Sequence, residues 1–291
     1  MIDNTKLILN FKSRLGLFFS LTIICLFITS IFAYIITLVW GNTAASIRIS
    51  TVIQNLILFM TPAIITALFI TKLPADFLQL SKFPSLKFII LTALILVLSV
   101  PAMNFIVHCN ESIVLPESLS HIENAMKAME EASRQQINIL LGEPSIGSLI
   151  ISILIVGVLT GIGEELFFRG GLQNILRTRP MNPHLAIWIT AVIFSAMHFQ
   201  FYGFIPRVLL GAFFGYLAFW SKSIWLPIFA HTLNNSLVVI SSWLISRNTS
   251  NIDFNKIGTD FSPEAYTLIA ISIIATTLGI LILKRQSKTL S

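Results

Sequence analysis

Glu164, Glu165 and Arg169 stand together at the end of one long apolar run. His198, His231 and Asn235 stand inside two further apolar runs downstream. Ionisable groups within membrane-type spans are costly, and each is by default a functional hypothesis. A carboxylate beside an imidazole can take a proton from water. A second imidazole and an amide can donate to the oxyanion that forms when that water attacks a carbonyl. Such a set hydrolyses an amide or ester without a covalent intermediate and requires no cofactor. Ser195 lies close to His198, but no Gly-x-Ser-x-Gly turn presents it as a nucleophile. Two imidazoles and a carboxylate also suit a divalent metal such as zinc, with Glu164, His198 and His231 as ligands. The chain has no His-Glu-x-x-His helix to support that alternative.

Helical geometry divides the charged cluster. Glu164 and Glu165 project about 100° apart. Glu165 and Arg169 are separated by one turn, with the acid N-terminal, which is the favourable order for an ion pair. Glu165 and Arg169 are therefore expected to support the site structurally, leaving Glu164 as the free acid. The runs bearing Glu164 and His198 form an antiparallel hairpin about a turn at 178–183. Each residue lies about 14 positions, roughly 20 Å, from its own end of that turn, so the two should share a level. His231 and Asn235 share a helix face, with Asn234 beside them, roughly 13 Å in from Lys222. Each residue also has a plainer role: Glu164 as a paired or interface-seeking carboxylate, His198 as a core histidine, and His231 with the asparagines as interhelical hydrogen bonds. Convergence of three helices at one level favours a site.

The elements that must hold these residues are membrane spans. Of 291 residues, 55% are hydrophobic and only 11% charged, and mean hydropathy is +0.84. Soluble domains carry about 25% charged residues. The apolar runs are continuous rather than alternating, which excludes a β-barrel and predicts an all-α polytopic bundle of about eight spans. The runs are 15–40, 51–71 with a kink at Pro62, 86–107 broken late by Pro101, 146–168, 184–202, 203–220, 223–245 and 265–283. The sixth is short for a crossing, because Arg207 and Lys222 bound its clean apolar stretch. Gly157, Gly161 and Gly163, and the pair Gly211 and Gly215, read as sites of close helix approach.

The net charge of +6 would suggest nucleic acid in a soluble chain. Here the basic residues flank spans, so they report topology, and no nucleic-acid partner is expected. Lys6, Lys12, Arg14, Lys72, Arg177 and Lys222 all fall on one side, which places both termini in the cytoplasm; Arg207 is the exception. The two cysteines, Cys25 and Cys109, have no metal or disulfide spacing. The chain reads as a single integral membrane domain over 1–291, with a catalytic core at 146–246. Residues 108–145 form an outer polar segment rich in glutamate. Within it, Leu119, Ile122, Met126, Met129, Ile137 and Leu140 recur at helical spacing, predicting an amphipathic helix against the outer surface or the bundle.

Three motifs resemble those of the CAAX protease and bacteriocin-processing (CPBP, Abi) family, which includes the Ras-converting CAAX prenyl endopeptidase. Glu164-Glu165-Leu166-Phe167-Phe168-Arg169 resembles EExxxR, Phe194-Ser195-Ala196-Met197-His198 resembles FxxxH, and His231-Thr232-Leu233-Asn234-Asn235 resembles HxxxN. The resemblance implies an intramembrane endopeptidase in which Glu164 activates water with His198, while His231 and Asn235 stabilise the oxyanion. The family is often labelled metalloprotease, although a glutamate-activated water is the mechanism its structures favour. The expected protein is thus a multi-pass protease of a prokaryotic plasma membrane. It would contact lipid and cut a peptide or membrane-tethered protein near the cytoplasmic half of the bilayer, from the inner leaflet or cytosol. CAAX-like or peptide maturation and bacteriocin self-immunity are the candidate roles. A proton-coupled transporter would instead use Glu164 and His198 as a relay and should show internal repeats. A catalytically silent scaffold should still function with Glu164→Ala.

Overall fold

The computed structural model describes residues 8–178, 182–247, 257–259 and 262–288. Lys6, Arg179 and most of the loop before Pro263 lie outside the described residues. Among the described residues every regular element is helical. In chain order the main helices are α1 (Phe11–Trp40), α2 (Ala44–Ile70), α3 (Leu86–Glu111), α4 (Ser120–Leu141), α5 (Ile146–Arg177), α6 (Pro183–Ala196), α7 (Phe204–Ser221), α8 (Trp225–Ser246) and α9 (Pro263–Lys288). Seven of them are long and apolar enough to cross a membrane. The exceptions are the polar α4 and the 14-residue α6.

Of the eight expected runs, seven coincide with helices long enough to cross, and the one that is too short is the fifth rather than the sixth. The run 184–202 does not continue as helix. Its last turn unwinds after Ala196, where Phe199 adopts a left-handed φ of 53°. The Ser195 hydroxyl donates to the Phe204 carbonyl at 2.8 Å, closing the connection to α7 inside the bundle. Arg207, the charge that did not fit the topology, braces this turn by donating to the Gln200 side-chain oxygen at 2.8 Å. With that guanidinium hydrogen-bonded at the turn, α7 runs a full 18 residues.

Both interior prolines are absorbed. In α2 a π-helical stretch, Gln54–Met60, immediately precedes Pro62. Wider turns of this kind accommodate a missing backbone donor and occur often at functional sites. The expected break at Pro101 does not occur, and α3 continues to Glu111. Ser272 on α9 accepts from the Ala102 N–H at 3.2 Å and donates to the Leu98 carbonyl, so the groups loosened by the proline are satisfied by a neighbouring helix.

Glycines set the spacing of α5 against its partners. A Cβ on Gly161 would sit 2.7 Å from Thr232 Oγ1 and 3.1 Å from the Thr232 backbone nitrogen on α8. One on Gly157 would sit 2.5 Å from Ser236 Oγ. These close approaches hold α8, with His231, against the helix carrying the glutamates. Gly161→Ala should push the two helices apart and destabilise by about 1–3 kcal/mol, the usual cost of overpacking. Thermal unfolding in detergent should show a lowered midpoint, and an unchanged midpoint would refute the contact.

The amphipathic helix predicted in 108–145 is α4. It packs Leu140 and Leu141 with Val239 of α8. Its C-terminal end is fastened by Arg48, which donates to the Leu140 carbonyl at 3.5 Å. The link onward to α5 is held by Arg48 on the Ser148 hydroxyl at 2.5 Å and by Trp243, whose indole donates to the Pro144 carbonyl at 3.1 Å. Near its start, Glu123 pairs with Lys127 at 2.7 Å and accepts from the Leu115 N–H at 3.2 Å.

Candidate active site

Arg169 and Glu165 form the expected ion pair, at 2.6 Å and with both side chains essentially fully buried. The guanidinium also donates to the Gly211 carbonyl at 2.8 Å and lies over the Phe194 ring at 4.8 Å. One turn on, Gln173 donates to the Gly215 carbonyl at 3.1 Å. The small pair on α7 therefore does more than allow close approach. It exposes two backbone carbonyls to two polar side chains of α5, which satisfies groups that would otherwise be costly to bury.

Glu165 has a second partner that sequence reasoning missed. His231 Nδ1 lies 2.7 Å from the same Glu165 oxygen that receives Arg169. A carboxylate paired with arginine acts as acceptor, so Nδ1 carries the proton and Nε2 is turned to the other side. There Nε2 stands 3.8 Å from Glu164 Oε2, within electrostatic range but beyond a hydrogen bond. Glu165 thus fixes the orientation of the imidazole next to the free acid, as well as holding the arginine.

Glu164 is only 7% exposed, and its Oε2 has no hydrogen-bond partner among the described residues. It lines a cavity of about 310 Å³ together with His198, Phe168, Met197 and Gln200. The hairpin reading placed His198 on a helix facing Glu164. The structure instead puts it in the turn beyond α6, while bringing both residues to one cavity. His198 Nδ1 lies 2.8 Å from the Phe194 carbonyl. Since a carbonyl only accepts, Nδ1 carries the proton and Nε2 is left as the basic nitrogen.

Asn235 donates to the Val156 carbonyl at 3.1 Å and accepts from Asn234 at 3.3 Å. It joins α8 to α5 two turns from Glu164, and it stands away from the cavity wall formed around Glu164 and His198. The alternative metal set is not assembled. Among the described residues no three His, Cys, Asp or Glu side chains have the spacing to hold an ion. The Nδ1 contacts of His231 with Glu165 and of His198 with the Phe194 carbonyl leave each Nε2 open, so it is the spacing of the three side chains that speaks against the metal set.

Asn55 is the other buried polar group that went unnoticed. It is 1% exposed and donates to Thr51 O at 2.9 Å and to Thr160 Oγ1 at 3.2 Å. A Cβ on Gly163 would lie 2.5 Å from its Oδ1, so the glycine admits this amide beside the glutamate pair. Its signal was available: a lone asparagine in the apolar run of α2.

Residues 146–237 match the protein-family model described as Rce1-like, type II CAAX prenyl endopeptidase Rce1-like. That stretch contains all three motifs. No curated protein matches the sequence, and no solved structure matches the chain.

Proposed function

Because the chain belongs to the CAAX protease family through residues 146–237, and is an integral multi-pass membrane protein of the protease class, we propose that it hydrolyses a peptide bond with a water activated by Glu164 and His198. The observation that carries this reading is that the nearly buried Glu164 lines one cavity with His198 and its Oε2 makes no hydrogen bond among the described residues. Glu165, whose Oε2 is equally unpartnered there, is taken up through Oε1 by Arg169 and His231 and does not line the cavity. A carboxylate kept out of bulk water and left without a partner can accept a proton in the reaction, and a neutral imidazole with a free Nε2 can share that work.

In this scheme water sits in the cavity and gives its proton to Glu164 as it attacks the scissile carbonyl. His198 orients the water through the lone pair of its unprotonated Nε2, and Glu164, holding the water's proton, passes it to the leaving amine. His231 is held by Glu165 with Nε2 toward Glu164, which fixes the imidazole beside the reacting carboxylate. Asn235, fastened to Val156, serves first to position α8, and it reaches an oxyanion only through its second amide hydrogen. No step passes through a metal. We also read both termini as cytoplasmic, supported by the lysines and arginines grouped at one end of the helices. The membrane is then a prokaryotic plasma membrane, and the substrate a peptide or tethered protein to be matured or detoxified.

The test is proteolysis of a membrane-tethered peptide by the purified protein. His198→Ala should reduce the rate about 10²–10⁴-fold, the range for a lost acid–base group. A chelator should leave the wild-type rate unchanged. Full activity in the variant, or loss of activity on chelation that added zinc restores, would overturn the mechanism.

A further inference from the structure

The cavity that holds Glu164 is closed toward one end of the bundle and walled by α4 at the other. Every residue of α5 from 163 to 176 is buried. This is roughly 18 Å of packed helix between Glu164 and the end carrying Arg177. Phe18 of α1 and Phe59 of α2 close on Phe167, with ring centroids at 4.8 and 5.6 Å. Gly171 admits the Phe18 ring, which would lie 2.7 Å from a Cβ there. This plug fills the space between the site and the α2–α3 and α7–α8 connections. In the opposite direction the cavity wall is made by Gln54 of α2, Ser133, Gln136, Ile137 and Leu140 of α4, and Gln200 of the α6–α7 turn. Gln54 and Gln136 are exposed on the surface of the bundle, so the cavity opens between α2 and α4.

The two ends differ in charge. Lys12, Arg14, Lys72, Lys82, Lys87 and Lys222 all lie at the plugged end, whereas residues 108–145 carry six of the nine glutamates against Lys127 and Arg134. Short basic connections mark the cytoplasmic side. We propose that the site is reached from the extracytoplasmic face, and that its substrate is the outward juxtamembrane stretch of a membrane-tethered polypeptide, received against α4. This inference rests on the proteolytic reading and replaces the inner-leaflet or cytosolic route expected from the sequence.

The wall also defines what it receives. Apart from Glu164 and His198 it carries no ionisable side chain. Three glutamines and a serine offer donors and acceptors at the height of an extended backbone, and Ile137 and Leu140 offer apolar contact. A chain entering here exchanges water for amide partners at its peptide groups and buries small aliphatic side chains. An acidic side chain would meet the Glu164 carboxylate directly, while the nearest guanidinium, Arg207, is held behind Gln200 and already faces Glu164. The preferred segment is therefore neutral and aliphatic, without acidic residues next to the scissile bond.

The route is tested in a background carrying Cys25→Ser and Cys109→Ser, since these are the two native cysteines. Gln136→Cys, Gln54→Cys and, as a reference for the basic end, Lys82→Cys are introduced singly. A membrane-impermeant maleimide is then applied to intact cells and, separately, to permeabilised ones. Gln136→Cys and Gln54→Cys should react in intact cells, and Lys82→Cys only after permeabilisation. Reaction of the two cavity positions on the same side as Lys82→Cys, or on neither side, would overturn the proposal. Two reporters then carry one neutral aliphatic peptide either outside or inside a single span. Cleavage of the outward reporter is expected to exceed that of the inward one at least tenfold, and the reverse preference would overturn the assignment. If cleavage is indifferent to Glu164→Gln the proteolytic reading falls, while the labelling result still decides the route of access.

Discussion

Glu164→Gln is expected to lower the cleavage rate by roughly 10²–10⁴-fold, the contribution of a positioned acid–base group, while leaving thermal stability unchanged or slightly raised. The asymmetry follows from the surroundings of this carboxylate. It is nearly buried and its Oε2 makes no hydrogen bond among the described residues, so the fold gains little from its charge. Taking a carboxylate out of water without a partner is costly, and a neutral amide of the same shape relieves that cost. A residue retained against stability is one that chemistry needs. Steady-state cleavage measured beside a melting curve separates the two effects. A variant that keeps full activity would remove Glu164 from the mechanism, and one that fails to fold would make it structural.

Arg169→Met is expected to do the opposite and strike the fold first. Arg169 is 1% exposed and donates to both Glu165 and the Gly211 carbonyl. Removing it leaves a buried carboxylate uncompensated and a helix carbonyl without its donor. Breaking one side of a buried pair costs about 3–5 kcal/mol, which corresponds to a fall in melting midpoint on the order of 10 °C for a chain of this size. The double variant Glu165→Met, Arg169→Met should recover much of that loss, because removing both charges avoids the uncompensated one. It should not recover cleavage, since Glu165 also holds His231 Nδ1. Recovery of both stability and rate in the double variant would show that Glu165 does not position the imidazole. If neither recovers, the pair is not the main source of the destabilisation.

Much of this architecture was legible before the structure. The apolar runs were long enough to name the spans, and i,i+4 spacing paired Glu165 with Arg169 correctly, because both signals are local. The level shared by Glu164 and His198 was also visible, although by an argument that assumed straight helices. The end of α6 escaped it. A left-handed Phe199 and the hydroxyl of Ser195 close that turn, and neither residue type announces a break. Pro101 misled in the other direction, since a serine far away in sequence, Ser272, repairs the α3 backbone around it.

The sequence by itself determined an all-helical membrane protein, the family signature in 164–235, and the division of two adjacent acids into one paired and one free. These follow from composition and from periodicities within single helices. Only the tertiary structure decided that Glu165 serves arginine and histidine together, that Asn235 is tied to Val156, and that α4 walls the cavity beside Glu164. Such contacts join helices far apart in the chain and depend on the rotation of each helix about its own axis. Glycines, π-turns and neighbouring side chains set that rotation collectively, and no local spacing records it. The glutamate motif therefore marks where charge is buried, while the packing around it decides which carboxylate is held in an ion pair and which lines the cavity with His198.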